Sequence, residues 1–463
     1  MFGLHPLIIL AIGVFTVVTM IIVLKINAFI ALITAAMVVS LLAGGSVGEK
    51  ISRVAEAFGG TAGKIGVVIA LAAVIGKCMI DSGAADRVVR MFVSLLGEKR
   101  GGISLMSSGF VLSVPVFFDT VFYLLVPLAR SMYRRTQKNY LKFVLAISAG
   151  AAITHTLVPP TPGPLVIAKT LEIDLGMMII VGLIVALPSA VVGLLFAGWV
   201  DRRMNIAMRP IEGATPEPEP LDESQLPGFL PSVLPIILPV LMISSHTIAS
   251  TIAKGAAQGS AWTKAAEFTA VFGNANLAML VSAAIAMFVL WHQRRPTRAG
   301  MAQVVETSLM SGGVIILITC AGGAFGAMLK AAQIGPAIQN IFAGEGQQQV
   351  GGLMLLGLGF FMSSLLKLAQ GSSTVAMITT SALLSSMLGS ADALSYHPVY
   401  LATAIGSGSL FGSWMNDSGF WIFAKMGGFT EVETLKSWTL LLTVLGLVGI
   451  AITALLVTFM PLT

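Results

Sequence analysis

The sequence predicts an all-α protein that crosses a membrane many times. Of its 463 residues, 56% are hydrophobic and only 10% are charged, and the mean hydropathy is +0.91. Soluble domains carry about 25% charged residues, so this composition excludes an ordinary soluble protein. Apolar runs long enough to cross a bilayer, which takes roughly 20 helical residues, recur along the whole chain, and we count about twelve transmembrane segments.

The first apolar run, Leu7–Leu24, predicts a retained transmembrane helix. It lacks the basic n-region and the small-residue cleavage site of a signal peptide, and a second apolar run follows at once. Further spans are predicted at Ala28–Ala43, Met177–Val200, Phe229–Ile248, Leu277–Trp291 and Leu440–Met460.

The net charge of +6 comes largely from short basic loops. Examples are "RSMYRRTQK" (Arg130–Lys138), "DRRMN" (Asp201–Asn205) and "QRRPTR" (Gln293–Arg298). Basic residues between apolar spans follow the positive-inside rule, which indicates cytoplasmic loops and the lipid bilayer as a partner, with no nucleic acid.

A hydrophilic segment near the middle divides the chain. "RPIEGATPEPEPLDESQLPG" (Arg209–Gly228) holds five acidic residues and five prolines, a composition typical of a solvated linker. We predict an N-terminal membrane repeat over residues 1–200, a linker over 201–228 and a C-terminal membrane repeat over 229–463.

Three pairs of similar segments occur in the same order on the two sides of this linker. The pairs are Ala72–Gly83 with Gly322–Gly335, Val114–Ala129 with Lys367–Leu383, and Ala146–Pro164 with Ala404–Trp421. Repeats with matching interruptions in their hydrophobic segments are typical of secondary transporters and place the binding site at the interruptions. The fold prediction is therefore two inverted repeats with re-entrant hairpins and broken helices.

Two of the interruptions are predicted to be hairpin tips. Val350–Ala391 contains one charged residue and as a straight helix measures roughly 60 Å, twice the bilayer core. It must turn, and Ala369–Thr374 is the expected place. In the first half, Gly101–Ala129 lies between Arg100 and Arg130, which favours a hairpin with its tip near Phe117–Asp119 over a tilted single helix.

The other two interruptions are predicted breaks inside helices. "HTLVPPTPGP" (His155–Pro164) contains four prolines and cannot form a continuous helix. "GSWMNDSGF" (Gly412–Phe420) is a softer break. Non-helical backbone at membrane depth requires protein burial or a watery cavity, so the four interruptions should meet at a polar site.

Six ionisable residues lie inside these segments: Lys77, Asp81, Asp119, His155, Lys367 and Asp417. Charged groups at membrane depth are costly and indicate function. For some of them, structural roles remain open at this point. Lys77 and Asp81 have the spacing of an i,i+4 ion pair. Lys367 is also suited to snorkelling or to holding backbone carbonyls, and the neutral imidazole of His155 to donating a hydrogen bond to a freed backbone carbonyl.

No cofactor or metal is indicated. Cys78 and Cys320 lie in separate apolar runs without ligand spacing and are expected to be inert buried thiols. "GGTAGK" lacks the spacing and the Ser or Thr of a phosphate-binding loop, which excludes an ATPase of that kind.

With these residues in view, the chain resembles the gluconate permease family of bacterial proton symporters, within the ion transporter superfamily. The similarity lies in "NDSGFW" (Asn416–Trp421), "GSSTVA" (Gly371–Ala376), "THTLVPPTPGP" (Thr154–Pro164) and "GKCMIDSGAA" (Gly76–Ala85). The chain departs from the family pattern in having Thr161 in place of a histidine and Lys367 in place of an arginine. The residues after Phe117-Phe118-Asp119 also differ.

The resemblance implies a multi-pass carrier of the bacterial cytoplasmic (inner) membrane that imports a small organic anion together with protons. More distantly, it implies a transport domain that moves against a homodimeric scaffold. The substrate-binding residues expected on this basis are Asp119, Thr120, Thr154, His155, Thr161, Lys367, Gly371, Ser372, Ser373, Thr374, Asn416, Asp417 and Ser418. Asp119 and Asp417, and then His155, are the candidates for proton coupling.

The predicted function is symport of a gluconate-like sugar acid or hydroxy acid with protons, not an enzymatic reaction. A sodium-coupled carboxylate or dicarboxylate carrier is the alternative, because carbonyls and hydroxyls at broken helices also suit a hard cation. An embedded enzyme using His155 with Asp417 is less well supported, since no nucleophile with an adjacent base is evident. A passive channel has no need of coupling carboxylates.

Overall fold

A computed structural model describes seven stretches of the chain: residues 5–97, 100–209, 222–254, 260–334, 352–388, 394–415 and 417–462. All regular secondary structure in these stretches is helical. The sequence correctly predicted an all-α architecture, because α-helices satisfy their backbone hydrogen bonds internally where lipid offers no partners.

The N-terminal half contains nine described helices. They are α1 (Pro6–Val18), α2 (Ala28–Leu42), α3 (Val47–Ser82), α4 (Ala84–Leu96), α5 (Gly101–Leu112), α6 (Phe118–Thr136), α7 (Tyr140–Leu157), α8 (Pro162–Thr170) and α9 (Leu175–Met204).

Nine more are described in the C-terminal half. They are α10 (Phe229–Lys254), α11 (Ala261–Phe272), α12 (Ala275–Arg294), α13 (Arg298–Ala331), α14 (Gly352–Gln370), α15 (Ser373–Leu388), α16 (Val399–Gly408), α17 (Ser418–Gly427) and α18 (Glu431–Phe459). Helix α18 contains one π-helical turn at Leu435–Thr439.

Within the described residues, seven helices are long and apolar enough to cross a membrane, and five shorter apolar helices accompany them. The six spans predicted individually from apolar runs all coincide with helices. Three of the short helices, α5, α14 and α16, end at an interruption. Helix α5 with its 12 residues extends only about 18 Å, well short of the roughly 30 Å bilayer core.

All four predicted interruptions are breaks between consecutive helices. The chain leaves helical geometry at residues 113–117, 158–161, 371–372, 409–415 and 417. Gly371 has φ +84°, a backbone conformation that side-chain-bearing residues rarely adopt, so the glycine permits the turn between α14 and α15. Each half therefore contains one helix–turn–helix and one broken helix in the same order.

Helices α3 and α13 pack against each other along their length and run antiparallel. Gly312 of α13 lies against Ala73, whereas Gly323, further along α13, lies against Thr61. At the end of α3, Arg294 donates to the Asp81 carbonyl over 3.1 Å. The predicted ion pair between Lys77 and Asp81 is present on α3, with a distance of 2.7 Å.

Arginines hold the two described ends of the hydrophilic segment against one end of the molecule. Arg87 forms an ion pair with Glu223 at 2.8 Å and donates to the Pro227 carbonyl, while Arg130 donates to the Arg209 carbonyl. The positive-inside rule places this arginine-rich end, which includes the Asp81–Arg294 contact, in the cytoplasm. Both cysteines are buried and free, as expected.

Candidate functional site

Three helices begin at one polar cavity in the interior. The cavity has a volume of about 510 Å³, and the first residues of α6, α15 and α17 form much of its wall. Ser311 and Ile315, near the middle of α13, complete another side, which places the cavity at the depth of the bilayer core. The interruptions predicted from sequence are the elements that build this site.

Helix N-termini make the cavity favourable for an anion. The first amides of a helix have no partner within the helix, and the helix dipole adds a partial positive charge there. At α15, Ser372 caps one amide, with its hydroxyl 3.3 Å from the Val375 nitrogen. At α17, the carboxylate of Asp417 accepts from the Gly419 amide over 2.9 Å.

A buried ion pair joins two of the interruptions. The Lys367 ammonium lies 2.6 Å from an Asp417 carboxylate oxygen and donates to the Gly371 carbonyl over 2.7 Å. Ser413 donates a short hydrogen bond to the same carboxylate, and the Trp438 indole donates to the Ser413 hydroxyl over 3.1 Å. The lysine thus holds a backbone carbonyl, which is a structural role considered from sequence, and it also neutralises a carboxylate.

Asp119 lies in the first turn of α6 and lines the same cavity. Unlike Asp417, its carboxylate makes no hydrogen bond or ion pair with any described residue. Asp119 interacts electrostatically with both Asp417 and Lys367, so the three charges influence one another across the site. Asp119 is therefore the carboxylate still free to bind a proton or a substrate group.

His155 also lines the cavity, near the end of α7. Its ring packs edge-on against Phe117 with a centroid distance of 6.1 Å. The Nδ1 atom is buried and has no hydrogen-bond partner among the described residues. A structural hydrogen bond from Nδ1, one option left open by the sequence, is therefore not present in the described part of the chain.

Of the other predicted site residues, six line the cavity and two are buried without lining it. Those lining it are Thr120, Gly371, Ser372, Ser373, Thr374 and Ser418. Thr154 and Thr161 are buried and are not part of the lining. The Thr161 hydroxyl donates to the Val158 carbonyl over 2.6 Å within the break, and the Thr154 hydroxyl has no partner among the described residues. Asn416 lies outside the described residues.

Several lining residues were not predicted from the sequence. Ser311 and Ile315 come from the uninterrupted helix α13, and Thr156, Trp438 and Leu442 come from helices beside the breaks. A serine in an unbroken apolar helix carries no sequence signal of its own. Trp438 lies in the π-helical turn of α18. The sequence of that turn contains neither proline nor glycine, so nothing in it predicts the irregularity.

The chemistry available at this site is binding, orientation and proton exchange. Among the described residues, no three His, Cys, Asp or Glu side chains lie close enough together to hold a metal ion. The cavity offers amides, hydroxyls, one compensated ion pair and one uncommitted carboxylate.

Interrupted helices that meet around a polar cavity inside a multi-pass helical protein define a membrane transporter. The GntP family permease profile matches residues 5–460, and the chain belongs to this family. It is a multi-pass protein of the bacterial inner membrane.

Two relatives and one solved structure illustrate the similarity. The chain is 32% identical over 435 residues to a gluconate permease of Pseudomonas aeruginosa, covering 93% of each protein. It is 31% identical over 452 residues to the inner membrane permease YgbN of Escherichia coli, covering 95% of this chain and 96% of that protein. The YdaH transporter of Alcanivorax borkumensis has the same fold, with a TM-score of 0.64, 14% identity and coverage of 99% and 100% of the two chains.

Proposed function

We propose that this protein imports a small organic monoanion, a sugar acid or hydroxy acid, by proton symport. The observation that carries the proposal is the convergence of three helix N-termini and several hydroxyls on a cavity that also holds the uncommitted carboxylate of Asp119. The similarity to a gluconate permease supports a hydroxylated carboxylate as the substrate class.

In this proposal, the substrate carboxylate binds where the half-helices begin. Helix N-termini with free amides stabilise anions without any cationic side chain. The hydroxyls of Thr120, Thr374 and Ser418 are placed to bond the hydroxyl groups of the substrate. A volume of about 510 Å³ accommodates a molecule of this class together with some water.

The charges of the site supply a reason for coupling to protons. Lys367 and Asp417 neutralise each other, so an ionised Asp119 leaves one net negative charge beside the cavity. A substrate anion would add a second negative charge in a medium of low dielectric constant. Protonation of Asp119 removes this repulsion, and by linkage the bound anion favours protonation to the same degree.

Asp417 and His155 are the other two candidates for proton transfer. The sequence ranked Asp417 equally with Asp119, whereas the surroundings of the two carboxylates favour Asp119. Asp417 can accept a proton only by giving up its bond to the Lys367 ammonium, which is 1% exposed. His155 lines the cavity and experiences the positive charge of Lys367, which opposes a second cation nearby. Asp119 is therefore the first choice.

Uptake of labelled gluconate into proteoliposomes tests the proposal. With an inward proton gradient and no sodium, we expect accumulation that a protonophore abolishes, and competition by unlabelled sugar acids and hydroxy acids stronger than competition by dicarboxylates. Accumulation that requires sodium at fixed pH would replace protons by sodium as the coupling ion. Absence of uptake under both gradients would contradict the substrate class.

A further inference from the structure

A second cavity lies between α3, α8, α13 and α15. It has a volume of about 290 Å³, and its wall includes three lysines, Lys64, Lys169 and Lys330, together with Glu172. None of these four side chains forms an ion pair or hydrogen bond with a described residue. The three lysines and one glutamate give the wall a net charge of two positive, which is the sign that attracts anions.

The lysine cavity lies at the opposite end of the molecule from the cytoplasmic arginines. Lys64 precedes Asp81 on α3 by 17 residues, about 26 Å along the helix. Lys330 lies in the last turn of α13. The first turn of α13 comes shortly after Arg294 in the chain, and Arg294 contacts Asp81 at the arginine-rich end. Since the bilayer core is roughly 30 Å thick, the cavity lies near the outer edge of the membrane.

Two helices connect the lysine cavity with the central one. Helix α13 lines the central cavity at Ile315 and the lysine cavity from Gly323, and α15 does so at Thr374 and from Ala382. Both intervals are eight residues, about 12 Å along each helix. The two cavities are therefore neighbours along the same two helices.

An apolar layer separates the two cavities. A side chain at Gly322 would lie 2.0 Å from the Ile378 side chain, and one at Gly163 would lie 2.1 Å from Met377, so both contacts are tight. Ile378 and Met377 are almost completely buried. The tight contacts of α15 with α8 and α13 thus separate an anion in the lysine cavity from the central cavity.

We propose that the lysine cavity is an outer anion-binding site, which captures the monocarboxylate substrate before it reaches the central cavity. The inference rests on the proposed function. A cleft with a net charge of one sign concentrates counter-ions, and in clefts lined by a single sign the association rate rises by a factor of about 10 to 1000, an effect that falls with ionic strength. The hydroxyls of Thr61, Thr170 and Ser385 in the same wall suit a hydroxylated anion.

The wall favours a soluble monoanion over a lipid phosphate. Glu172 lies among the lysines and reduces the charge available to a more highly charged group. The site is also formed between helices that continue to the central cavity, as a substrate route requires. A lipid headgroup is the competing occupant, and the experiment distinguishes it.

The kinetic test compares initial uptake rates of the wild-type protein with those of the triple variant Lys64→Gln, Lys169→Gln and Lys330→Gln. At low ionic strength we expect KM for gluconate to rise about 5- to 10-fold with kcat unchanged, and the difference to fall below about 2-fold at high salt. Lys264→Gln is the matched control, because Lys264 is exposed on α11 and does not line the cavity. An unchanged KM in the triple variant would overturn the proposal.

A binding test separates this proposal from the proposed function. Lysine methylation of the purified wild-type protein is followed by mass spectrometry, with and without gluconate. Slower methylation of Lys64, Lys169 and Lys330, but not of Lys264, supports the site even if no uptake is found. If uptake occurs but gluconate gives no protection, or only phosphatidylglycerol protects, the cavity is not a substrate site.

Discussion

Two aspartates at the central cavity occupy similar positions and have different surroundings. Asp119 and Asp417 each lie at the start of a half-helix, Asp119 at the helix–turn–helix of the N-terminal half and Asp417 at the broken helix of the C-terminal half. Asp417 is held by Lys367, Ser413 and the Gly419 amide. Asp119 has no such partner among the described residues. The comparison indicates that one carboxylate is compensated by its partners and that the other is uncommitted among the described residues.

The difference follows from what surrounds each carboxylate. Lys367 comes from the end of α14 and reaches the second broken helix, so its charge is already compensated. No described lysine or arginine forms an ion pair with Asp119, although Lys367 acts on it electrostatically. Two carboxylates at the starts of half-helices therefore have different surroundings, and substitutions of each carboxylate should differ in kind.

The largest effect is expected from breaking the buried ion pair. Asp417→Asn leaves the Lys367 ammonium buried beside a neutral amide, and removing one partner of a buried pair costs about 3–5 kcal/mol. We expect a large fall in the thermal unfolding temperature of the purified protein and loss of uptake. The double variant Lys367→Gln with Asp417→Asn should recover most of the stability. If it is as unstable as the single variant, the pair is not the reason for the loss.

The next effect is expected from Asp119→Asn, which removes a charge but no observed bond. Its unfolding temperature should stay close to that of the wild-type protein. Proton-driven accumulation should fall at least about tenfold, equivalent to 1.4 kcal/mol of lost coupling, while exchange of internal for external substrate persists. Uptake is measured with and without an imposed pH gradient. Asp119→Glu is the control and should keep its pH dependence. Full accumulation by Asp119→Asn would reject this residue as the proton carrier.

Ser413→Ala removes one hydrogen bond to the Asp417 carboxylate and leaves both charges of the ion pair in place. The variant deletes the hydroxyl that bonds both Asp417 and Trp438. A buried partner left without its hydrogen bond costs about 1–3 kcal/mol, so a moderate loss of thermal stability is expected. Ser148→Ala is the control, because that hydroxyl donates only to the Val144 carbonyl of its own helix. Equal losses in both variants would contradict a special role for Ser413.

The smallest effect is expected at an ion pair in contact with water. Arg209 and Glu433 lie 2.7 Å apart, with 46% of the arginine side chain exposed. Exposed pairs contribute about 0–1 kcal/mol, so Arg209→Gln should change the unfolding temperature little, and less still at high salt. A loss comparable to that of Asp417→Asn would show that exposure does not distinguish the two pairs.

Much of the fold was predictable because it depends on local chemistry. Four prolines in residues 155–164 prevent a helix from continuing, and Gly371 supplies the backbone freedom for a turn, so the breaks could be located from sequence. The i,i+4 spacing of Lys77 and Asp81 likewise predicted the pair that forms. The all-helical, multi-pass class followed from composition.

The partners within the site were less predictable, because they come from distant segments. Lys367 and Asp417 are 50 residues apart and meet only when α14 packs beside the second broken helix. Thr161 lies within a predicted interruption and Thr154 directly precedes it, yet both are buried away from the cavity lining. Ser311 enters the lining from a helix without any irregularity.

The sequence by itself determined a multi-pass helical protein with four interruptions, since helix continuity and membrane solvation depend on residues close together in the chain. Only the tertiary structure decided which aspartate is compensated and which is free. That distinction depends on the distance between charges brought together by packing, and electrostatic energy at low dielectric constant changes steeply with that distance. The same packing created the lysine cavity, whose three cations lie on three different helices.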